Sequence, residues 1–392
     1  MKTLVIAPQP FFSPRGTPLS VYYRTLIAAE LNIDIDFLTY GQGSDVDIPG
    51  VHFYRTPPFR LLGKIKIGPS GLKLFHDIFI FLYMFWLLIR NKYDVVHAHE
   101  EAVFLALLLK PIFRFRLLYD MHSSLPQQLS NFNYTSSKLI TSIFEWLENK
   151  SLARSEAIIT ICPDLYNYVN SVLPGNKKNF LIENSILEPV RLCGQPEASA
   201  ADMTNELPVP IPEKFKEVVV YAGTLESYQG IDYLIDAVPL VAQEDGEIGF
   251  IIVGGTEKQV ELYRERAQKL GVSGKVIFTG QVSQAVARTY TGSASILVSP
   301  RSSGTNTPLK IYEQLASGIP LVATSIYSHT QVLTSEVAFM VDLNARDLAK
   351  GILKATESEA VEKTTKAKEL YEKEYSRPVY VEKLRMVLET IS

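Results

Sequence analysis

Short apolar runs alternate with polar, glycine-containing loops and amphipathic stretches along this 392-residue chain. Apolar runs of this length, each followed by a loop and a helical period, predict parallel strands joined by crossover helices. In the first half, strands are predicted at 3–7, 33–39, 51–55, 93–99, 117–121, 157–161 and 180–182, and in the second half at 217–221, 249–253, 276–278, 296–299, 321–323 and 339–341. Helices are predicted from about residue 18, with Thr17 as N-cap, and at 136–155, 233–243, 259–270, 345–354 and 361–392.

The strand–loop–helix pattern restarts after a stretch rich in Pro, Ala and Ser at residues 187–216. That stretch lacks periodicity and is predicted to be a linker or surface insert. We therefore predict two Rossmann-like α/β domains, at residues 1–186 and 217–370, each a parallel sheet with helices on both faces. Residues 371–392 are predicted as a terminal helix that packs back toward the first domain.

Composition is that of an ordinary globular protein, with 46% hydrophobic and 21% charged residues. The net charge of -3 argues against a general nucleic-acid binder. The two cysteines, Cys162 and Cys193, support neither a disulfide framework nor a zinc site, so a reducing cytoplasm is expected. Pro8 and Pro10 break the first apolar run too early for a signal peptide.

The most informative stretch is residues 299–324, where a polar loop leads into a short helix. Thr307 is predicted as its N-cap, Pro308 as its first residue and Gly318 as the residue that ends it. Lys310 and Glu313 share one face of this helix. A lysine in the first turn is disfavoured by the helix dipole unless an anion lies before it, and free N–H groups there bind phosphate. The residues thus indicate a site for a phosphorylated, hydroxyl-bearing ligand, or else a surface helix with an incidental pair.

Three features of the first half could carry chemistry. Gly16 lies in the loop after the first strand, where backbone can approach a phosphate or sugar, although an ordinary turn would use it as well. His122 follows a central strand, where it could polarise a substrate hydroxyl or be a satisfied buried histidine. His97 and His99 alternate on one strand face, but without a third ligand cluster we do not predict a metal site.

Residues 55–89 combine a basic segment with an entirely apolar run at 78–89. Twelve helical residues span about 18 Å, short of the roughly 30 Å hydrocarbon core, so a membrane span is not predicted. A buried helix is the favoured interpretation. The alternative is an interfacial helix on anionic lipid, with Lys64, Lys66 and Lys73 as its basic flank. Further basic residues that could add to such a surface are Lys110, Arg114 and Arg116.

The motifs YAGTLESYQGIDYLIDA, FIIVGG, GKVIFTGQV and ILVSPRSSGTNTPLKIYEQLASGIPLVAT resemble the donor-binding half of family 4 retaining glycosyltransferases. The first half is similar too, through PFFSPRGTPLSV, YDVVHAHEE and YDMHSSLP. The resemblance covers almost the whole chain. It implies the GT-B fold, in which two Rossmann domains face each other across a cleft.

The resemblance also implies roles for individual residues. Glu313 matches the second glutamate of the family's Glu-x7-Glu motif, which holds the ribose of a sugar nucleotide, whereas Thr305 replaces the first. Thr224 and Gln229 stand where the family has an Arg–Lys pair for the diphosphate. Lys310 is then the first candidate cation for the leaving group, and His122 lies where the family has a rim histidine. The remaining predicted donor-site residues are Arg15, Gly16, Gly223, Arg301, Asn306, Thr307, Pro308 and Leu309.

The predicted function is a retaining, metal-independent transfer of a sugar from a nucleotide-diphosphate sugar to a hydroxyl acceptor. The acceptor is expected to be lipid-linked or a polysaccharide precursor, and the protein to be cytoplasmic or peripheral at the inner face of the membrane. No cofactor beyond the donor is expected. Two alternatives stay open: a sugar-nucleotide epimerase on the same scaffold, and a catalytically silent nucleotide-sugar-binding protein.

Overall fold

A computed structural model describes residues 1–13, 16–59, 62–63, 65, 70–124, 126, 138–193 and 207–392. The chain forms two compact units, the first made of Met1–Glu197 with Arg377–Ser392 and the second of Ala198–Ser376. The predicted class is confirmed, since each unit has a parallel sheet flanked by helices. The units divide at 197/198 and 376/377, whereas the sequence placed the boundaries at 186/187, 216/217 and 370/371.

The first unit contains a seven-stranded sheet in the order β3-β2-β1-β4-β5-β6-β7. Its strands are β1 Lys2–Ala7, β2 Asp34–Thr39, β3 Val51–Arg55, β4 Val95–His99, β5 Arg116–Met121, β6 Ala157–Thr160 and β7 Asn179–Leu181. Its helices before the second unit are α1 Gly16–Glu30, α2 Gly71–Arg90, α3 Ala102–Phe113, α4 Lys138–Arg154 and α5 Pro163–Val172. All strand pairs are parallel, so the carboxyl ends of the strands lie along one edge.

Strand β1 shows why the sheet is buried on both faces. Leu4 and Ile6 join the core under α2, α3 and α5, whereas Val5 and Ala7 join the core under α1. Successive side chains of a strand point to opposite faces, so a continuous apolar run serves two cores at once.

The second unit contains a six-stranded parallel sheet in the order β10-β9-β8-β11-β12-β13. Its strands are β8 Glu217–Ala222, β9 Ile248–Val253, β10 Val276–Gly280, β11 Ile296–Ser299, β12 Leu321–Thr324 and β13 Phe339–Val341. Its helices are α6 Ile231–Glu244, α7 Glu257–Lys269, α8 Gln284–Gly292, α9 Lys310–Ser317, α10 Tyr327–Thr330, α11 Ala345–Lys354 and α12 Glu359–Glu374. The strand order reverses between β8 and β11, which is where ligands bind in open α/β sheets.

The single long helix predicted at 361–392 is wrong. It is two helices, α12 and α13 (Arg377–Thr390), separated at Tyr375 and Ser376. Helix α13 belongs to the first unit, where Tyr380 and Leu384 join the core under α1. Arg377 forms ion pairs with Glu30 (2.6 Å) and with Glu188, both in that unit. Sequence reasoning also missed α3, α5 and α8.

The described ends of the predicted linker at 187–216 are anchored to the two units. Leu192 forms an antiparallel bridge with Val46 in the first unit. The backbone of Val209 exchanges two hydrogen bonds with the Tyr290 hydroxyl in the second, at 3.0 and 2.7 Å. Residues 194–206 lie outside the described part of the chain.

Candidate active site

Three loops meet at the carboxyl edge of the second sheet, after β8, β9 and β11. A Cβ added to Gly230 would lie 1.9 Å from the Pro300 carbonyl oxygen, and one added to Gly254 would lie 2.1 Å from that of Gly223. Both glycines have positive φ, +70° and +110°. The backbones therefore touch directly, and only glycine permits it at these two positions.

Helix α9 begins differently from the prediction. The first turn is closed by hydrogen bonds from the N–H of Ile311 to Pro308 and from the N–H of Tyr312 to Leu309, at 3.0 and 3.2 Å. Thr307 does not cap it, because its Oγ1 is buried and has no hydrogen-bond partner among the described residues. The predicted helix end is confirmed, since Gly318 is the C-cap with φ +74°.

The ammonium group of Lys310 lies inside this edge of the sheet. Its Nζ is buried, has no hydrogen-bond acceptor in the described structure and lies 4.1 Å from the centroid of the Tyr221 ring. Burial, and then the positive charge of Arg301, lower the pKa of Lys310 from 10.5 to about 7. A buried cation without a carboxylate partner is costly, and an anionic ligand would supply the missing charge.

Arg301 holds the loop before α9 together. Its Nε donates to the Ser303 carbonyl at 2.7 Å and its Nη1 to the Asn306 carbonyl at 3.4 Å. The guanidinium group also lies 5.2 Å from the Tyr228 ring centroid. Arg301 therefore shapes the loop and adds positive potential toward Lys310.

Glu313 does not pair with Lys310. Its side chain is 43% exposed, and its Oε1 lies 3.5 Å from Nε of Arg288 on α8. Its half-exposed position leaves the carboxylate accessible to a ligand hydroxyl.

The other predicted donor-site residues lie in the same group of loops. Gln229 and Thr224 are neighbours, with Nε2 of Gln229 at 3.5 Å from Oγ1 of Thr224. Oε1 of Gln229 is buried and lacks a partner among the described residues. The Thr305 carbonyl accepts a hydrogen bond from Gln331, and Pro308 and Leu309 are half-buried in the turn that starts α9.

His329 is a residue that sequence reasoning missed. Its Nδ1 lies 2.8 Å from the Thr324 carbonyl, and its Nε2 lies 3.0 Å from Oγ of Ser299. Because a carbonyl only accepts, Nδ1 carries the proton and Nε2 accepts from the serine hydroxyl. Burial lowers the pKa of His329 to about 4, so the ring is neutral at pH 7 and ties the ends of β11 and β12 together. The available signal was a polar residue at the end of each of these two apolar strands, Ser299 and Thr324.

A second polar group lies at the carboxyl edge of the first sheet, around Asp120. Nε of Arg24 lies 3.1 Å from Oδ2 of Asp120, and both side chains are fully buried. Nε2 of His97 lies 3.2 Å and Nδ1 of His99 3.5 Å from the same oxygen, and Nε2 of His122 lies 3.3 Å from Oδ1. Despite burial, the adjacent Arg24 cation and histidines hold the pKa of Asp120 well below its ordinary value.

His122 is buried, as in one of the two alternatives that the sequence left open. It is 3% exposed, and its Nε2 lies 3.0 Å from Nδ1 of His99. Burial lowers the pKa of His122 to about 4, with Arg24 adding to the decrease and Asp120 opposing it. A neutral, oriented imidazole results, and its catalytic role stays a prediction.

One atom from each of His97, His99 and Asp120 falls within 4.8 Å of the others, a separation that a metal ion could bridge. The arrangement fits a metal poorly, because Arg24 already neutralises the shared Asp120 oxygen. A divalent ion there would lie against a buried guanidinium group, and like charges at short range in low dielectric repel strongly.

Carboxylates gather beside α2 at the same edge. Lys73 forms ion pairs with Glu101 and, at 4.0 Å, with Glu100, while Asp77 accepts a 2.5 Å hydrogen bond from Tyr40. Burial raises the pKa of Asp77 and of Glu100 to about 7. Lys73 is thus engaged by acidic side chains, so its prediction as a free lipid-facing cation is wrong.

The remaining predicted residues of the first unit are partly outside the described structure. Arg15, Lys64 and Lys66 lie outside it. Gly16 is exposed and is the first residue of α1, so that helix begins before the predicted Thr17 cap.

Comparison with known proteins assigns the family. A Glycosyltransferase Family 4 model matches residues 24–186, and a Glycosyl transferases group 1 model matches residues 216–358. The chain belongs to the family 4-like glycosyltransferases of the GT-B fold. The two matches together cover every strand from β2 to β13, including β5 with Asp120, and helix α9 with Lys310.

Named relatives are distant from this glycosyltransferase-family chain. An uncharacterised glycosyltransferase of Methanocaldococcus jannaschii is 24% identical over 254 residues, 63% of this chain and 61% of that protein. A phosphatidyl-myo-inositol mannosyltransferase of Mycobacterium tuberculosis is 27% identical over 189 residues, 46% of this chain and 49% of that protein. The chain thus spans less than two thirds of either relative.

A solved structure extends the likeness of fold to the whole chain. Anabaena HepE in complex with UDP and glucose has a TM-score of 0.69 and 15% identity, covering 100% of this chain and 99% of that one.

Proposed function

We propose that this protein is a retaining glycosyltransferase that moves a sugar from a nucleotide-diphosphate sugar to a hydroxyl acceptor. The observation that carries the proposal is the buried ammonium group of Lys310, which has no acidic partner in the described structure. It lies in the first turn of α9, where an anion is favoured. The solved relative that contains UDP and glucose supports a donor of this class.

In the proposed reaction, negative charge grows on the diphosphate as the sugar departs. Lys310 would meet that charge, and it would gain most of its proton affinity only when the phosphate is in place. Thr224 and Gln229 leave the neighbouring loop without a cation, so Lys310 contributes the direct contact. Arg301 contributes positive potential while its own donors hold the loop.

Glu313 would accept hydrogen bonds from the ribose hydroxyls of the donor. Its exposure at the surface of α9 permits this contact, and Arg288 holds the carboxylate in place from the other side. Thr305 and Asn306 would lie nearer the transferred sugar, where a hydroxyl in place of the family's glutamate changes which sugar is preferred. We propose that no metal takes part, because Lys310 supplies the charge that a metal would otherwise supply.

The acceptor would bind at the carboxyl edge of the first sheet. His122 is neutral at pH 7 and can accept a hydrogen bond from, or donate one to, an acceptor hydroxyl. Asp77 and Glu100, whose pKa values burial raises to about 7, add partly protonated carboxyl groups that can both donate to and accept from a hydroxyl-rich partner. The named mannosyltransferase relative favours a lipid-linked acceptor.

A thermal-shift screen against UDP, GDP, ADP and TDP sugars tests the donor class, and one of them should raise the melting temperature. The best donor is then incubated with acceptor pools, and the anomeric configuration of the product is read by NMR. Retention is expected. Donor conversion without acceptor would indicate the epimerase, and binding without turnover would indicate the silent binding protein.

A further inference from the structure

Exposed large apolar side chains are concentrated on three helices of the first unit, α2, α3 and α4. They are Leu74, Phe75, Ile78, Leu82, Phe85, Trp86, Ile89, Leu108, Ile112, Leu139, Ile143 and Trp146. Scattered apolar side chains are normal on a protein surface, but a cluster of this size marks a binding surface.

The three helices form one continuous layer. Phe85 of α2 contacts Phe113 of α3, with ring centroids 5.8 Å apart. Phe104 of α3 contacts Phe144 of α4, at 6.4 Å. The exposed side chains therefore lie on three helices in contact with one another, and we call them together the apolar face.

Helix α2 packs one face against the sheet and exposes its other face. It has 20 residues and is about 30 Å long, so the helix length of about 18 Å that we predicted from residues 78–89 is wrong. Its length and composition would suit a membrane span, and only 28% of its most apolar 18-residue stretch is buried. However, Ile80, Met84 and Leu87 are fully buried in the core against the sheet. The predicted all-round burial is therefore wrong, and the helix is half core and half surface.

Charge around the apolar face is predominantly positive. The three helices carry six Lys and Arg against three Asp and Glu. Two of the acidic residues are held by hydrogen bonds to neighbouring side chains, Asp77 by Tyr40 and Glu148 by Ser124. Two of the cations are engaged as well, since Lys73 pairs with Glu101 and Lys110 pairs with Glu156 at 2.6 Å.

Each tryptophan of the face is paired with a cation. The guanidinium of Arg90 lies 4.6 Å from the Trp86 ring, and Nζ of Lys150 lies 4.4 Å from the Trp146 ring. Aromatic rings with adjacent cations suit the boundary between lipid headgroups and acyl chains, where one end is apolar and the other wet.

We infer that the apolar face of α2, α3 and α4 docks on an anionic lipid bilayer, with α2 lying in the plane of the interface. The aliphatic residues would enter the acyl boundary while Arg90 and Lys150 contact anionic headgroups. This inference does not depend on the proposed sugar transfer, since membrane binding is measured without donor or acceptor.

Tryptophan fluorescence of the full chain provides a direct test, because its only two tryptophans lie on this face. Vesicles of phosphatidylcholine with 30% phosphatidylglycerol should shift the emission to the blue. Bromine-labelled acyl chains should quench it. The protein should bind vesicles of phosphatidylcholine alone more weakly. In 0.5 M salt, its binding to the anionic vesicles should fall toward that weaker level.

A double variant and a matched control locate the contact. Ile78→Gln with Ile112→Gln replaces two side chains that are 54% and 66% exposed, and should weaken vesicle partitioning by about 100-fold. Leu262→Gln with Val361→Gln replaces side chains 59% and 70% exposed in the second unit and should leave partitioning unchanged. Thermal melting checks that both variants fold.

Two results would overturn the inference. The first is fluorescence that anionic vesicles neither shift nor quench. The second is a blue shift that grows with protein concentration without lipid, alongside a dimer in sedimentation, which would assign the face to a second copy of the chain.

Discussion

Replacing Lys310 by Met tests whether the buried ammonium group destabilises the native state while it binds the nucleotide. Methionine matches the length of the lysine stem and lacks the ammonium group over Tyr221. The fall in the pKa of Lys310 from 10.5 to about 7 corresponds to an upper limit of about 4–5 kcal/mol of native-state destabilisation. We therefore expect Lys310→Met to raise the free energy of unfolding at pH 7 while weakening nucleoside diphosphate binding by about 10- to 150-fold.

Lys310 should also make the free energy of unfolding depend on pH. Between pH values of about 7 and 10.5 the unfolded chain holds the Lys310 proton and the native protein does not. Wild-type stability should therefore rise with pH in that window, by at most about 1.4 kcal/mol per pH unit, and Lys310→Met should lose this slope.

Chemical denaturation at pH 7, 8 and 9 measures the slope, and calorimetric titration with the diphosphate measures affinity. Lys269→Met, on the exposed surface of α7, is the matched control and should change neither quantity. A less stable Lys310→Met protein that binds the nucleotide with wild-type affinity would refute the reasoning, because the ammonium would then be a structural group.

Three further results are expected. Glu313→Gln should weaken nucleotide binding by about 5- to 10-fold in calorimetry without changing the melting temperature, because the side chain is half-exposed; a lower melting temperature with unchanged affinity would contradict its role. Asp120→Asn should lower the free energy of unfolding by about 3–5 kcal/mol, since it leaves Arg24 buried without its partner, and a near-neutral change would contradict the ion-pair reading. Gly230→Ala should destabilise more than Gly271→Ala in thermal unfolding, since both have φ near +70° but only the first meets the Pro300 carbonyl; equal losses would show that the close approach costs nothing.

Local signals predicted the order of the strands and the end of α9 well, but missed several helices. Strands buried on both faces leave continuous apolar runs, and Gly318 has the positive φ that ends a helix. The prediction of Thr307 as the N-cap was wrong, because the first turn is closed by backbone hydrogen bonds to the carbonyls of Pro308 and Leu309 instead. The break at Ser376 was signalled by Pro378, which follows in the first turn of α13.

Features that depend on contacts distant in sequence could not be predicted. Asp120 meets His97 and His99 because β5 lies beside β4, and it meets Arg24 because α1 packs against the same sheet. The exposure of α2 could not be predicted either, because an apolar run has the same sequence pattern whether it faces a core or a membrane. Lys73 was assigned to lipid for the same reason, since its acidic partners come from the end of β4.

The most direct test is a crystal structure of the protein with a nucleoside diphosphate bound. We expect an oxygen of the diphosphate within about 3.2 Å of Nζ of Lys310, with the ribose hydroxyls against the carboxylate of Glu313. A diphosphate bound away from α9, with the Lys310 ammonium still unpaired, would contradict the assignment of this edge of the second sheet as the donor site.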